Sequence, residues 1–417
     1  FTGHGNVELT ALKAIEDYQN EFRFHFPHEH RPAGRNAKTT PLTPVLAAEG
    51  AVFTVVNGWE RAEMFPPEGF AETHSFRFTE AFDVVASEVA NVRDNVGLTE
   101  VNGFNRIEVS GPAVRDFLDW MICGKVTKRS GRVGLGYMLN QHGCLKSEVT
   151  VANLPDGRIW LGSAAAAEWH DLDWLRQRAP EGVTLKGLTN DYTILLLAGP
   201  GARQVLSRSS RGDWSAAAFP WLSVREAFIG IAPAVVMSVS FSGELAYEIH
   251  VPNNQLYAAY LALRTAGDGL GLKLFGARAV ESMRLEKGYL HWKADILTEF
   301  DPFETGLDRF VDMSKDFHGK AALQARVQTK KLVTLALETK AAPAHGGASV
   351  MIDDRVVGTV TSGDWGHRTG LNLAYAFVDK ELSDVGQTFE VDVIGMMVPA
   401  KIIEPCPYDP GTTRPRS

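Results

Sequence analysis

The stretch FSGELAYEIHV at residues 241–251 is followed by GARAVESMRLEKGY at residues 276–289, and together they indicate the fold. From residue 245 the first stretch alternates apolar and polar side chains, which predicts a strand with one buried face. Glu248 lies on the polar face. The second stretch predicts a helix on which Arg278, Glu281 and Arg284 follow at intervals of three, so neighbouring pairs can touch. The pair predicts a strand and a helix in one compact unit.

These charged residues have two interpretations. The Glu248 carboxylate can accept two N–H donors side by side, and Arg278 or Arg284 can pair bidentately with a carboxylate or pack on an aromatic ring. The alternative is a solvated strand face beside a surface salt-bridge ladder, which contributes little stability. The residues alone leave both open.

Glu148 is a third candidate. It follows the turn at residues 140–146 on a predicted strand, where alternation puts it on the same face as Thr150. A carboxylate that faces a pocket can accept a proton or position an amine. An exposed strand glutamate is the alternative.

Along the chain, one pattern occurs twice. Within residues 76–325 a strand, a helix and a hairpin repeat, and VSGP at 109–112 is echoed by LAGP at 197–200. This predicts a pseudo-duplicated α+β domain. Short strands divided by Gly and Asp turns predict a small β-barrel or sandwich over 326–417. A helix predicted at 6–24 and a proline-containing connector form an N-terminal arm, residues 1–75.

The amino-acid composition argues against several classes of protein. The 417 residues are 45% hydrophobic and 22% charged with a net charge of −8, a balance that argues against a nucleic-acid surface. The apolar runs are far shorter than the roughly 20 residues that span a bilayer, so no membrane partner is expected. Three cysteines without CxxC spacing indicate neither a disulfide framework nor a zinc site and favour a reducing compartment.

Motif searches add further exclusions. The histidines at 25, 28 and 30 lack the spacing of a closed zinc site, so no metal is predicted. No GxGxxG joins a strand to a helix, and GxSxG, HExxH and Walker A motifs are absent from the sequence. These absences argue against a dinucleotide-binding fold within these residues and against hydrolase or kinase chemistry. Because the chain starts at Phe1 without a signal-peptide pattern, we expect a piece of a longer protein.

Ordered motifs nevertheless carry a resemblance. They are NGWER (57–61), VSGP (109–112), MLN (138–140), EVTV (148–151), GELAYE (243–248), RLEKG (284–288), DPFETGL (301–307) and VTSG (360–363). In this order they resemble the glycine-cleavage T-protein (aminomethyltransferase) family. They are most similar to the folate-binding C-terminal half of dimethylglycine dehydrogenase and sarcosine dehydrogenase. Residues 25–59 also resemble the linker that joins the flavin half to the folate half in those dehydrogenases.

The resemblance implies a folate-binding fold and a set of site residues. Glu148 is the implied catalytic residue, facing the folate N5/N10 region. The implied folate-binding residues are Glu248, Arg278, Arg284, Phe241, Tyr247, Asn140, Met138 and Trp292. Two positions depart from the family: Glu148 stands where Asp is usual, and Phe241 lacks the hydroxyl of the usual Tyr, a loss of about 1 kcal/mol in hydrogen bonding.

The implied reaction is tetrahydrofolate-dependent one-carbon transfer. It captures the carbon from oxidative demethylation of an N-methyl amine as 5,10-methylenetetrahydrofolate. FAD is expected only if a flavin domain or subunit outside these residues supplies it. The alternatives are a stand-alone folate-dependent N-, O- or S-demethylase and a non-catalytic folate-binding protein. The expected compartment is the bacterial cytoplasm or the mitochondrial matrix.

Overall fold

The N-terminal segment contains two helices and a hairpin. The computed structural model describes residues 7–417; residue 6 of the predicted first helix lies outside them. The elements are α1 (Val7–Gln19), α2 (Thr43–Ala48), β1 (Val52–Val56) and β2 (Trp59–Met64). Helix α1 ends before the predicted residue 24 because the Asn20 side-chain amide donates to the Glu16 carbonyl at 2.8 Å and closes its last turn. Asn57 and Gly58 take positive φ at the hairpin turn, as such two-residue turns require.

Two units of the same topology follow α3 (Ala81–Asp94) and β3 (Val96–Val101). The first unit consists of β4 (Asn105–Ser110), α4 (Val114–Met121), β5 (Arg132–Leu139), β6 (Leu145–Asn153), β7 (Ile159–Ser163), α5 (Glu168–Arg176) and β8 (Thr184–Gly187). The second consists of β9 (Tyr192–Ala198), α6 (Ala202–Ser209), β10 (Val224–Ile229), β11 (Ala232–Met237), β12 (Ala246–Pro252), α7 (Leu256–Ala266) and β13 (Leu272–Leu274).

The strand orders confirm the predicted duplication. The first sheet has the order β5-β6-β7-β4-β8, and the second has the order β10-β11-β12-β9-β3-β13. In both sheets, the first strand of the unit (β4 or β9) pairs antiparallel with the last strand of the three-stranded meander that follows it (β7 or β12). Strand β3 enters the second sheet between β9 and β13, which is the one difference in order.

The chain ends in a closed barrel. Helix α8 (Ala277–Glu286) and helix α9 (Lys320–Ala325) precede it. The barrel order is β14-β17-β16-β15-β18-β19, with bounds β14 (Lys330–Leu337), β15 (Ser349–Ile352), β16 (Arg355–Gly366), β17 (Leu371–Asp379), β18 (Thr388–Val393) and β19 (Met396–Ile403). The sequence pattern predicts short strands at 332–337, 349–352, 356–361, 374–378, 389–394 and 399–403, and the structure confirms all six and their closure into a barrel rather than a sandwich. The domain boundaries that the sequence suggests after residues 75 and 325 stay predictions.

Alternation on β12 decides which face of the second sheet is buried by helices. Tyr247, Ile249 and Val251 are buried in a core with residues of α6 and α7. Burying each such side chain contributes roughly 1.5–3 kcal/mol, which fixes the register of the strand. The opposite face, with Glu248 and His250, turns toward the first unit. No helix within residues 7–417 is long and apolar enough to cross a membrane.

Candidate functional site

The two sheets face each other across a polar gap. A small cavity there is lined by Thr150 of β6 and Trp160 of β7 from the first unit, and by Met237, Glu248 and His250 from the second. Apolar residues of both units pack beside it, including Ala152 and Val235. The gap therefore lies at the junction of the duplicated halves.

Glu148 lies on this inner face, two residues before Thr150 on the same strand. Its side chain is half-buried. Tyr137, the residue on β5 that pairs with Glu148, donates a hydrogen bond from its hydroxyl to the Glu148 carboxylate at 2.6 Å. Burial raises the pKa of Glu148 to about 7, and the Tyr137 hydrogen bond partly opposes that rise. Burial and the adjacent carboxylate raise the pKa of Tyr137. Glu148 therefore exchanges a proton near neutral pH, while Tyr137 stays a donor.

Glu248 and His250 form the opposite wall, and Arg106 of β4 in the first unit reaches across the gap to them. Arg106 contacts Nδ1 of His250, and because a guanidinium can only donate, Nδ1 must be the acceptor and Nε2 must carry the proton. Burial, and secondly Arg106, lower the pKa of His250 to about 4, so it is neutral at pH 7. Its Nε2 lies 3.2 Å from Glu248 Oε2 without the alignment of a hydrogen bond. The Nε2–H donor of His250 and the Glu248 carboxylate thus lie side by side, with hydrogen-bonding capacity that the protein itself does not use.

The enclosed space is narrow. Its volume is about 10 Å³, enough for one water molecule. A flat bicyclic ring can reach Glu248 only if surrounding side chains move apart.

Two implied site residues lie on the wrong face. Tyr247 is fully buried, and its ring lies parallel to Phe219 in the core beneath α6 and α7, because neighbours on a strand point to opposite sides. Met138 likewise is buried with Phe117 and Val149, opposite Tyr137 and Glu148. The structure places both residues in the core and does not bring them into the gap, so a folate-binding role for either stays a prediction.

Asn140 has a local role. Its side-chain oxygen accepts the backbone N–H groups of His142 and Cys144 at 2.9 and 3.1 Å. This closes the turn between β5 and β6 and fixes the register that pairs Tyr137 with Glu148.

The helix arginines have internal partners. Arg278 donates to Glu72 at 2.8 and 2.9 Å and lies 3.1 Å from Glu63, both carboxylates of the N-terminal segment. Arg284 donates to Glu281 and to Asp295. Both arginines are buried, at 7% and 0% exposure, so a surface ladder is wrong. The geometry does not bring either guanidinium into the gap with Glu248.

Asp295 extends this network to the barrel. Its second oxygen accepts the hydroxyls of Thr361 and Ser362 on β16, each at 2.6 Å. Arg284 therefore connects α8 to the barrel through one shared carboxylate.

The implied aromatic residues pack against protein rings. Phe241 is half-buried and lies nearly parallel to Tyr289, with ring centres 6.1 Å apart. Trp292 is 5% exposed, shares a cluster with Tyr137, and meets the His170 ring edge-on at 5.4 Å. Trp292 thus supports the tyrosine that binds Glu148.

Sequence reasoning missed three residues of the site: Tyr137, His250 and Arg106. His250 could have been found, because it follows Glu248 by two residues on the same face. Tyr137 and Arg106 depend on strand pairing that no local pattern reveals.

The histidines of the N-terminal arm do not form a metal cluster in the part of the chain that the structure describes. No group of three or more His, Cys, Asp or Glu residues there is arranged to hold an ion. His28 and His30 instead hydrogen-bond the two oxygens of Glu63 at 2.6 and 2.8 Å. These contacts attach the arm to β2.

Comparison with known proteins agrees with this architecture. The dimethylglycine dehydrogenase of Rattus norvegicus, a mitochondrial protein, is 32% identical over 409 residues, covering 95% of this chain and 48% of that protein. The 4-methylaminobutanoate oxidase (formaldehyde-forming) of Paenarthrobacter nicotinovorans is 30% identical, covering 100% and 52%. The chain thus spans about half the length of these curated relatives.

A solved structure and two family models cover most of the chain. The aminomethyltransferase T of the glycine cleavage system from Bartonella henselae superposes with a TM-score of 0.78 at 21% identity, covering 89% of this chain and 98% of that one, which shows a shared fold. The GCVT N-terminal domain model matches residues 42–315, and the glycine cleavage T-protein C-terminal barrel model matches residues 330–409. The chain is therefore an enzyme of the glycine-cleavage T-protein family, with the folate-dependent aminomethyltransferase domain and the C-terminal barrel of that family.

Proposed function

We propose that the chain captures the one-carbon unit released by oxidative demethylation of an N-methyl amine, of the dimethylglycine or sarcosine type, as 5,10-methylenetetrahydrofolate. The observation that carries the proposal is the gap between the duplicated units. Glu148, bound by Tyr137, lies on one side of it, and Glu248, beside the His250 donor, lies on the other.

The donor set of the gap fits the edge of a pterin. That edge presents two N–H donors next to a carbonyl acceptor. The Glu248 carboxylate can accept the donors, and the Nε2–H of His250 can donate to the carbonyl. Because Arg106 fixes the His250 tautomer, these groups are oriented before a ligand arrives.

Glu148 performs the proton chemistry in this proposal. Folate supplies the amine nitrogen that takes up the carbon. The Glu148 carboxylate accepts the proton that this amine loses and stabilises a cationic electrophile nearby, and Tyr137 fixes the orientation of the carboxylate. The extra methylene of Glu relative to Asp lets the carboxylate reach the Tyr137 hydroxyl from β6.

The oxidation of the amine itself requires a flavin. These residues do not provide a fold that binds one. We propose that a flavin domain or partner subunit supplies FAD and delivers the one-carbon unit. The dimethylglycine dehydrogenase relative is a mitochondrial protein, and the 4-methylaminobutanoate oxidase relative comes from a bacterium. We therefore propose the mitochondrial matrix or the bacterial cytoplasm as the compartment.

The reaction product distinguishes this proposal from its alternatives. Purified protein, together with its flavin-bearing part, is incubated with tetrahydrofolate and a ¹³C-methyl amine, and the products are identified by NMR. Labelled 5,10-methylenetetrahydrofolate supports the proposal. Labelled 5-methyltetrahydrofolate formed without flavin indicates a stand-alone demethylase, and absence of any labelled folate despite folate binding indicates a pure binding protein.

The rate of one-carbon capture should depend on pH through Glu148. Burial raises the pKa of this carboxyl to about 7, so the basic form increases as pH rises from 6 to 8. Single-turnover capture should rise over this interval and level off above it, while Glu148→Gln should remove the inflection. A wild-type rate that is flat from pH 6 to 8 would contradict the role of Glu148 as the base.

A further inference from the structure

The strand that carries Glu148 is paired on only one edge at that residue. Strand β6 pairs with β5 along most of its length, and Tyr137 is the β5 residue opposite Glu148. On the other edge, the pairing with β7 covers residues 150–153 and stops two residues short of Glu148. Within residues 7–417, the backbone at Glu148 therefore has a partner strand on one side. Its carboxylate needs a further support if its orientation is to be fixed.

Asp171 of α5 supplies that support. Its Oδ2 accepts the hydroxyl of Ser147, the residue before Glu148, at 2.8 Å, and the hydroxyl of Ser163, the last residue of β7, at 2.6 Å. One carboxylate oxygen thus joins β6 to the end of β7 where their pairing has stopped. Ser147 and Asp171 are at most 1% exposed and Ser163 is 5% exposed, so water does not compete for these hydrogen bonds.

The other oxygen of Asp171 supports the second member of the Glu148–Tyr137 pair. Oδ1 accepts a hydrogen bond from Nδ1 of His170 at 2.9 Å, and because a carboxylate only accepts, Nδ1 must carry the proton. The His170 ring meets Trp292 edge-on, and Trp292 packs in the cluster that contains Tyr137. The same carboxylate therefore holds the backbone beside Glu148 and, through two rings, the tyrosine that binds Glu148.

Asp171 itself lies on the far side of the strand from the gap. Strand alternation puts Ser147 on the face opposite Glu148, and Asp171 contacts that face from α5. A ligand in the gap beside Glu148 is thus separated from Asp171 by the strand. Asp171 can act on the reaction only through the groups that it holds.

We propose that Asp171 is a positioning residue for one-carbon capture, which fixes Glu148 and Tyr137 in the orientation that receives the proton from the folate amine. The inference rests on the proposed function, in which Glu148 is the base. Proton transfer requires the carboxylate within hydrogen-bond reach of the amine, so a small displacement of the carboxylate slows capture steeply. Loss of Asp171 should slow the reaction without removing a group that binds folate.

Single-turnover capture by Asp171 variants, with the flavin-bearing part present, tests the proposal. In Asp171→Ala we expect a rate about 10- to 30-fold below wild type and a Kd for tetrahydrofolate within about twofold, since a displaced base costs rate and not binding. Asp171→Asn keeps an oxygen that can accept both serine hydroxyls, while its NH2 faces the other tautomer of His170. It should therefore recover the rate to within about threefold of wild type. The matched control is Asp173→Ala on the same helix, where the exposed carboxylate accepts from Gln177, and it should behave as wild type.

Two readouts separate positioning from a general loss of stability. Burial is the main cause of the raised pKa of Glu148, about 7, so a carboxylate that Asp171→Ala releases toward solvent should show its pH inflection at lower pH than wild type. In a Glu148→Gln background, Asp171→Ala should change the capture rate by about twofold or less, because the group that it positions is already inactive.

A milder variant covers the case in which Asp171→Ala does not fold, as judged by circular dichroism. Ser147→Ala removes one hydroxyl from the face away from the gap and leaves Asp171 its other two donors. Its capture rate should fall about fivefold, since a smaller displacement of the base costs less than the loss of the whole support.

The outcomes distinguish this inference from the function on which it rests. Wild-type capture rates in the folded variants, an unmoved pH inflection in Asp171→Ala, or an undiminished effect of Asp171→Ala in the Glu148→Gln background overturns the positioning role alone. When Asp171→Ala does not fold, a wild-type rate in Ser147→Ala overturns it. Absence of labelled 5,10-methylenetetrahydrofolate from the wild-type reaction overturns the proposed function as well.

Discussion

Replacing Glu148 with glutamine is expected to reduce the formation of 5,10-methylenetetrahydrofolate by about 10²-fold or more, the usual contribution of a positioned general base. Glutamine keeps the size of the side chain and can still accept the Tyr137 hydrogen bond, so the local structure should persist. What it loses is the ability to take up a proton and to stabilise a cation.

The measurement follows both fates of the carbon. With the flavin-bearing part present and dimethylglycine as substrate, the variant should oxidise the amine at the wild-type rate but release the carbon as free formaldehyde. The matched control is Glu226→Gln on β10, where the carboxylate is exposed and pairs with Arg158. Wild-type yields of methylenetetrahydrofolate in the Glu148 variant would show that this residue is not catalytic.

The second large effect concerns stability at Arg93, which lies at the centre of a buried ion network. Its guanidinium donates to Glu244 at 3.0 Å and to Glu286 at 2.7 Å, and all three side chains are at most 1% exposed. The guanidinium also lies 3.8 Å from the centre of the Tyr408 ring in the C-terminal tail. The network joins α3, the loop before β12, and α8.

Arg93→Met should therefore lower the free energy of unfolding by about 3–5 kcal/mol, because two buried carboxylates lose the buried guanidinium that lies between them. Urea unfolding, followed by circular dichroism, measures the change in midpoint. The control is Arg368→Met, whose partner Asp94 is exposed, and it should cost at most about 1 kcal/mol. Equal losses in the two variants would show that the Arg93 network does not stabilise the fold.

Local patterns predicted the architecture well because the relevant signals are local. Alternation in residues 245–251 gave both the strand and the face that carries Glu248, and short apolar runs separated by turns gave all six barrel strands. The duplicated order of the two sheets followed from a repeated strand, helix and hairpin. Each of these features depends on neighbours a few residues apart.

The site was predicted less completely because its contacts are distant in sequence. Arg278 matches the family motif, yet its carboxylate partners Glu63 and Glu72 lie more than 200 residues earlier, and no helical spacing reveals them. Tyr247 and Met138 were assigned through motif membership, although strand alternation places each on the face opposite the gap. Membership in a motif therefore does not decide which side chains meet a ligand.

The central claim is that the gap between the duplicated units binds a folate through Glu248. Isothermal titration of tetrahydrofolate into the wild-type protein and into Glu248→Gln tests it most directly, since the amide replaces one of the two acceptor oxygens with an NH2 donor and so cannot pair side by side with two N–H donors. The account predicts wild-type binding and an affinity about 10- to 100-fold weaker in the variant, the loss expected for hydrogen bonds to a charged group. No wild-type binding, or equal binding by the two proteins, would contradict it.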